Sequence, residues 1–162
     1  MKRGEMVVLG LVVVLVLGSI VRNVVKKPEA GGPDLGIPYY STALASVASD
    51  AMDVYRAQGC KSCHSLWTVR NMLDNVPAPK LDGIGSIRSE EWLFQYLSAP
   101  DPQAILPSRL KQEFRMPSFA QVPEHERRLL ASYLASLKVK DWYLDETRKA
   151  EYEKLTGKDY HP

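Results

Sequence analysis

Cys60-Lys61-Ser62-Cys63-His64 contains both cysteines of the chain and dominates the interpretation of its sequence. In a CxxCH pentapeptide the two thiols can each add to a vinyl group of haem, and the histidine that follows can then coordinate the iron. A large apolar cofactor attached in this way compensates for the small core of a short domain. We therefore predict covalent attachment of one haem c at Cys60 and Cys63, with His64 as an iron ligand.

Three other uses of the two cysteines fit the sequence less well. A disulfide between them would close a very short loop and stabilise little. Structural zinc normally has four ligands, and only His125 and His161 remain to complete such a site. A thioredoxin-like redox pair requires a βαβ setting, which the neighbouring sequence does not supply.

The overall composition indicates a small domain with additional segments. The 162 residues are 45% hydrophobic and 25% charged, with a formal net charge of +2. Nothing in this balance indicates a nucleic-acid partner. The sequence also lacks a Gly-rich phosphate loop and an HExxH metal motif, so it predicts no enzymatic site of these kinds.

An apolar run from Met6 to Val21 is flanked by basic residues on both sides. A cleaved secretory signal and a retained membrane helix share this pattern. The run lacks an A-x-A-like cleavage site, and a helix continued to Val25 reaches the usual spanning length of about 20 residues. We therefore predict one N-terminal transmembrane anchor over residues 1–27.

The segment over residues 28–41 is rich in proline and glycine and shows no helical or strand period. Such a composition predicts a semi-extended linker. It would tether the following domain, residues 42–138, near the membrane while leaving that domain some freedom to approach a partner.

The first predicted helix of this domain runs from Thr42 to Gln58 and ends before Gly59. It places apolar residues along one helical face, namely Leu44, Val47, Ala48, Ala51, Met52 and Tyr55. This helix delivers the chain to Cys60. The CxxCH turn itself is predicted to begin another short helical stretch.

Two more helices follow in the same domain. Ser89 is the predicted cap of the second, Glu90 and Glu91 suit its first turn, and Pro100 stops it. The third begins at Pro123 and carries apolar residues at helical spacing, namely Leu130, Tyr133, Leu134 and Leu137. No run alternates like a strand. The sequence therefore predicts an all-α domain around haem, preceded by one transmembrane helix.

Three methionines compete for the second axial position of the iron. Met52 precedes the motif, and Met72 follows His64 by only eight residues, so both are poorly placed to reach the distal face. Met116 follows His64 by 52 residues, and Pro117 biases it towards the extended backbone of a loop. Because His/Met ligation is common in electron-carrying haem c, we predict Met116 as the ligand. His125 and an open position are the alternatives.

Residues 139–162 form a strongly charged tail. Within it, Asp145 to Leu155 predict a helix that Gly157 closes. The apolar face of this helix is thin, so independent folding is not expected. The tail either packs on the preceding domain or binds another subunit, and the second hypothesis is motivated by its aromatic residues Trp142, Tyr143 and Tyr160.

Several short motifs accompany CxxCH in order along the chain: Tyr55, Pro79-Lys80-Leu81, Ser89-Glu90-Glu91-Trp92-Leu93, Met116-Pro117 and Leu130-x-x-Tyr133-Leu134. With these motifs, the stretch from about residue 46 to 138 resembles the class I cytochromes c, particularly membrane-anchored mono-haem subunits of respiratory complexes. The resemblance implies that the first and last helices cross. It also implies that the carbonyl of Pro79 accepts a hydrogen bond from the ring of His64.

The stretch Leu81-Asp82-Gly83-Ile84-Gly85 resembles the haem-edge segment of the family and is followed by Arg88 and Trp92. Either side chain could donate to a haem propionate, since a buried carboxylate needs strong donors. A solvated arginine and a core tryptophan fit these positions equally well.

The resemblance implies a one-electron carrier rather than an enzyme. It would be a subunit of a quinol-oxidising complex, a terminal oxidase or a photosynthetic reaction centre, and would meet a redox partner protein. Haem attachment in the family takes place outside the bacterial cytoplasm, so the domain is expected on the periplasmic side of the inner membrane.

Two other functions remain open from the sequence. In a haem peroxidase or a sensor of diatomic gases, Met116 would dissociate from the iron. In an assembly subunit, the anchor and the tail would hold a complex together and the haem would be secondary.

Overall fold

A computed structural model of the chain describes residues 10, 12–18, 36–67, 76 and 78–161. The chain divides into two units, Met1–Gly36 and Ile37–Pro162. In the first unit, residues 10 and 12–18 are helical. Within the described ranges, no helix has both the length and the apolarity needed to cross a bilayer. Most of the predicted anchor, and residues 28–35 of the predicted linker, lie outside those ranges.

Helices dominate the described part of the second unit. They are α1 (Ala45–Ala57), α2 (Glu90–Ser98), α3 (Glu124–Ser136) and α4 (Leu144–Thr156). The first three match the helices predicted for the domain, and α4 matches the helix predicted in the tail. Between α1 and α2, short 3-10 turns occupy Cys60–Ser62 and Ile84–Ser86.

Local chemistry explains where these helices begin and end. The Ser89 hydroxyl accepts a hydrogen bond from the Trp92 N–H at 3.2 Å, which caps α2 as predicted. Gly59 follows α1 with a φ of 69°, and Gly157 ends α4 with the same value. Such left-handed conformations favour glycine because other residues meet steric strain there.

The core lies where α3 packs against both α1 and α2. Ala51 of α1 and Ala131 of α3 have no exposed surface, and Tyr133 is almost fully buried. Burial of each large apolar side chain in such a core contributes about 1.5–3 kcal/mol. The cluster consists of Ala51, Tyr55, Leu66, Ile84, Leu93, Leu97, Leu130, Ala131, Tyr133, Leu134 and Leu137.

Two short strands correct the prediction of a domain without strands. Strand β1 (Tyr39–Ser41) pairs antiparallel with β2 (Leu137–Val139), with Tyr40 opposite Lys138. Three residues are too few to show the alternation by which a strand is recognised in sequence. The linker predicted over residues 28–41 therefore ends earlier, because β1 belongs to the second unit.

The flanks of α1 and α3 also differ from the prediction. Leu137 has extended dihedrals and starts β2, although its spacing placed it on the third helix. Leu44 precedes α1 in extended conformation and is 74% exposed, so it is not part of the buried face. Helical periodicity applies only within a helix, and both residues lie just beyond one.

The charged tail packs on the same unit through α4. The Tyr39 hydroxyl donates to the Tyr143 hydroxyl at 3.1 Å. Arg88 forms an ion pair with Glu151 at 3.2 Å. Further along the helix, the Arg109 side chain donates to the Lys154 carbonyl at 3.1 Å. In the structure the tail therefore packs on the preceding domain, which is the first of the two arrangements considered for it.

Replacement of Gly85 tests the close approach between the Ile84–Ser86 turn and α3. A Cβ atom at this buried position would collide with the backbone carbonyl of Ala135, which cannot move without distorting α3. We expect Gly85→Ala to lower the free energy of unfolding by about 3 kcal/mol, measured by denaturant titration of the haem-loaded protein.

Gly36→Ala is the matched control for that substitution. Gly36 has a φ of 69°, and no neighbouring side chain or backbone atom lies within 4 Å of the position that an alanine Cβ would take. Only backbone strain of about 1 kcal/mol is therefore expected. Equal losses in the two variants would contradict a steric role for Gly85.

Candidate haem site

The CxxCH motif forms a tight turn directly after α1. Gly59 turns the chain, and the Cys60 carbonyl then accepts the backbone N–H groups of Cys63 at 3.2 Å and of His64 at 3.0 Å. This turn brings both thiols and the imidazole to the wall of one cavity. The three residues predicted to attach haem and bind its iron are thus held together by local backbone hydrogen bonds.

The imidazole of His64 is oriented by Pro79. Its Nδ1 lies 2.8 Å from the Pro79 carbonyl oxygen, as the family resemblance implied. A carbonyl can only accept, so Nδ1 carries the proton and the Nε2 lone pair is left for a metal. Burial lowers the pKa of His64, with partial opposition from the Pro79 carbonyl, and therefore favours the neutral form that ligates iron.

Two buried tyrosines connect the motif to the core. The Tyr55 hydroxyl of α1 donates to the His64 carbonyl at 3.2 Å. Burial raises the pKa of Tyr55, so this hydroxyl remains a donor at neutral pH. After the motif, the Trp67 indole donates to the Tyr133 hydroxyl of α3 at 3.2 Å. The turn is therefore fixed to both α1 and α3.

The two thiols differ in environment. Cys60 is half-buried, whereas Cys63 is exposed. Burial raises the pKa of the Cys60 thiol to about 11, which disfavours the thiolate that structural zinc requires. Within the described residues, no three or more His, Cys, Asp or Glu side chains gather as a metal site would require. The zinc alternative gains no support from this geometry.

The cavity beside the motif is predominantly apolar. Its volume is about 230 Å³, which exceeds the roughly 150 Å³ of a protein cavity that accommodates benzene. The apolar wall includes Leu81, Ile84, Leu93, Leu97, Leu130 and Leu134, contributed by α2, α3 and the turn that precedes α2.

Met116 also lines this cavity, together with His64. Among the described residues, it is the one methionine in the cavity wall. Met52 packs against the core elsewhere, and His125 is exposed at the start of α3. Met72 lies outside the described residues. The arrangement thus brings together the two predicted axial ligands and separates His125 from them.

The two predicted propionate donors have different positions. Trp92 lines the cavity and stacks on Tyr96, with ring centroids 5.1 Å apart. Arg88 is not among the lining residues. Its guanidinium lies 4.6 Å from the centre of the Trp92 ring and forms the ion pair with Glu151. Arg88 is therefore half-buried beside Trp92 and Glu151 rather than freely solvated.

Glu151 is a cavity residue that sequence reasoning missed. It lies on α4 and lines the cavity together with Leu155. The signal was present in the spacing, since Glu151 follows Leu144 by seven residues and precedes Leu155 by four. An acidic residue at helical spacing from two leucines favours a partner beneath it, here Arg88.

These residues fit haem. The cavity offers an apolar wall, two thiols, an imidazole with its Nε2 available and a thioether. Within the described part of the chain, the buried Nε atom of Arg88 has no hydrogen-bond partner. A donor of this kind suits the carboxylate of a propionate.

Comparison with known families gives an independent result. A family model described as Cytochrome c matches residues 48–138. Neither the curated proteins nor the solved structures provide a match. The matched span includes the motif turn, α2, α3 and Met116, but it ends before α4.

Tyr55→Phe tests the hydrogen bond that ties α1 to the motif. Loss of the hydroxyl leaves the His64 carbonyl without this donor, so we expect the free energy of unfolding to fall by about 1 kcal/mol in denaturant titrations of the haem-loaded protein. Tyr40→Phe is the control, because the Tyr40 side chain is 44% exposed and its change should stay within about 0.5 kcal/mol. An unchanged stability of the Tyr55 variant would contradict the assigned bond.

Proposed function

The chain belongs to the cytochrome c family, and on that premise we propose that it carries single electrons through a haem c whose axial ligands are His64 and Met116. Covalent haem c is the cofactor of the family, and Cys60 and Cys63 are the cysteines that attach it in this chain. When bound, haem supplies a one-electron couple. The polypeptide supplies the attachment, the ligands and the surroundings of the iron.

Two opposing effects of the protein set the reduction potential in this proposal. The apolar wall disfavours the additional positive charge of the oxidised state and so raises the potential. The bond from His64 to Pro79 makes the imidazole a stronger donor and favours the oxidised state. Burial of the cofactor also limits solvent reorganisation when an electron is transferred.

The observation that carries the proposal is the placement of Met116 in the cavity that His64 lines. The loop that carries Met116 is held on both sides of Pro117. The Gln103 side chain donates to the Met116 carbonyl at 3.1 Å, and the Ser118 hydroxyl donates to the Ala99 carbonyl at 2.8 Å. Such restraints favour a fixed ligand over one that dissociates to admit a substrate or gas.

We further propose that residues 1–27 anchor this domain to a bacterial inner membrane, with the haem on the periplasmic side. The apolar run and the absence of a cleavage site support the anchor. The helical residues 12–17 are all large, apolar and exposed, and such a contiguous surface suits lipid better than water. The partners would be subunits of an electron-transport complex, namely a quinol-oxidising complex, a terminal oxidase or a reaction centre.

Met116→Leu tests the axial ligand. Without the thioether, we expect the reduced protein to bind carbon monoxide rapidly, and we expect the reduction potential to fall because methionine ligation raises it. Absorption spectroscopy and redox titration measure both changes. Met52→Leu is the control, because Met52 packs on the core outside the cavity wall and its variant should match the parent protein.

Carbon monoxide binding by the parent protein separates the proposal from its alternative. Slow or absent binding supports electron transfer. Rapid and stoichiometric binding would instead identify a haem peroxidase or a gas sensor.

A second experiment tests the anchor. The full chain should remain in the membrane fraction after an alkaline wash, because its apolar run is expected to partition into lipid. When residues 1–27 are exchanged for a cleavable secretion signal, the haem-stained protein should appear in the soluble fraction. Release of the full chain by the wash would contradict anchoring.

A further inference from the structure

Helix α4 forms part of the cavity wall, although it lies beyond the span that matches the family. Glu151 and Leu155 line the cavity beside the motif turn and Trp92. The matched span ends at residue 138, before α4 begins. The family match therefore does not account for the presence of Glu151 at this cavity.

Contacts along its length fix the position of α4. Tyr143, just before the helix, bonds to Tyr39 of β1. Glu151 near the middle is paired with Arg88, and the Lys154 carbonyl accepts from Arg109. Because these contacts come from separate segments of the domain, the side chain of Glu151 is held against the cavity.

The carboxylate of Glu151 lies in a partly buried environment. Its side chain is 17% exposed, and that of its partner Arg88 is 26% exposed. Among the described residues that line the cavity, Glu151 is the one with an acidic side chain. A charge in such surroundings is screened less by solvent than a charge on the surface.

Other charged and titratable groups face Glu151 from the elements packed around it. A smaller hollow beside the cavity is lined by Glu151 with Tyr39, Lys80, Asp82, Tyr143, Glu146 and Lys154. On the cavity side, the titratable lining groups are Tyr55, Cys60, Cys63, His64 and Tyr96. The acidic residues described around the smaller hollow are Asp82, Glu146 and Glu151. Of these, Glu151 is the one that also lines the larger cavity.

We propose that α4 delivers Glu151 to the haem cavity, where this carboxylate and its Arg88 partner tune the reduction potential and make it depend on pH. The inference rests on the proposed electron-transfer function. Oxidation adds one positive charge to the iron, so an ionised carboxylate in the wall favours the oxidised state and lowers the potential. Protonation of Glu151 removes that effect.

The coupling links protonation of Glu151 to reduction of the haem. Across the pH range in which Glu151 titrates, reduction by one electron from a donor or an electrode is accompanied by uptake of a fraction of a proton from solvent at the Glu151 carboxyl. Burial raises the pKa of Glu151, and Arg88 partly opposes this shift. The potential should therefore fall as pH rises through a range above that of an ordinary glutamate.

Redox titration of the haem-loaded full chain at a series of pH values tests the inference. Glu151→Gln should raise the potential at neutral pH and abolish the pH-dependent step. We expect the electron-transfer equilibrium with a reference dye to change by about tenfold, which corresponds to about 59 mV for one electron. Glu153→Gln is the matched control. It removes the same charge from α4, but Glu153 lines neither the cavity nor the smaller hollow.

Arg88→Gln provides a second and independent variant. Loss of the guanidinium leaves the carboxylate uncompensated, so the potential should fall at high pH. The pH-dependent step should also move to higher pH, because Arg88 no longer lowers the pKa of Glu151. A merely structural role of the ion pair would not move this step.

The outcomes separate this inference from the proposed function. If the potentials of Glu151→Gln and Glu153→Gln follow the same pH curve as the parent protein, the inference is overturned while a reversible one-electron couple leaves the function intact. Absence of such a couple in the parent protein would instead overturn the proposed function.

Discussion

The contact between the His64 ring and the Pro79 carbonyl is the constraint on which the site depends. It joins the motif turn to the segment that leads into the Ile84–Ser86 turn. The same contact fixes the tautomer of the imidazole and leaves Nε2 available, as the proposed iron ligation requires. One hydrogen bond thus connects the position of Pro79 to the chemistry of the proposed metal ligand.

Helix α3 supports the elements around this constraint. It packs on α1, which delivers the motif, and on α2, which supplies part of the cavity wall. The close approach of Gly85 to Ala135 brings the turn before α2 against the same helix. Helix α3 therefore belongs both to the apolar core and to the cavity wall. Because of this, packing of the core and binding of haem stabilise one another.

Sequence reasoning recovered the features that local chemistry determines. The CxxCH turn, the Ser89 cap and the closing glycine at Gly157 each depend on residues that are adjacent in the chain, and the structure contains all three. The strands β1 and β2 were missed because each has only three residues and their pairing joins segments almost 100 residues apart. The role of Glu151 was missed for a related reason, since its partner Arg88 is distant in sequence.

The pairing of β1 with β2 also has a mechanical consequence. Any tension that enters the domain through residue 37 reaches β1 before it reaches α1 or the motif turn. Hydrogen bonds from Lys140 to Pro38 and from Thr42 to Ser136 flank the paired strands and reinforce them. A pull from the N-terminal side would thus be resisted by the strand ladder, and the residues proposed to hold the iron would be shielded from it.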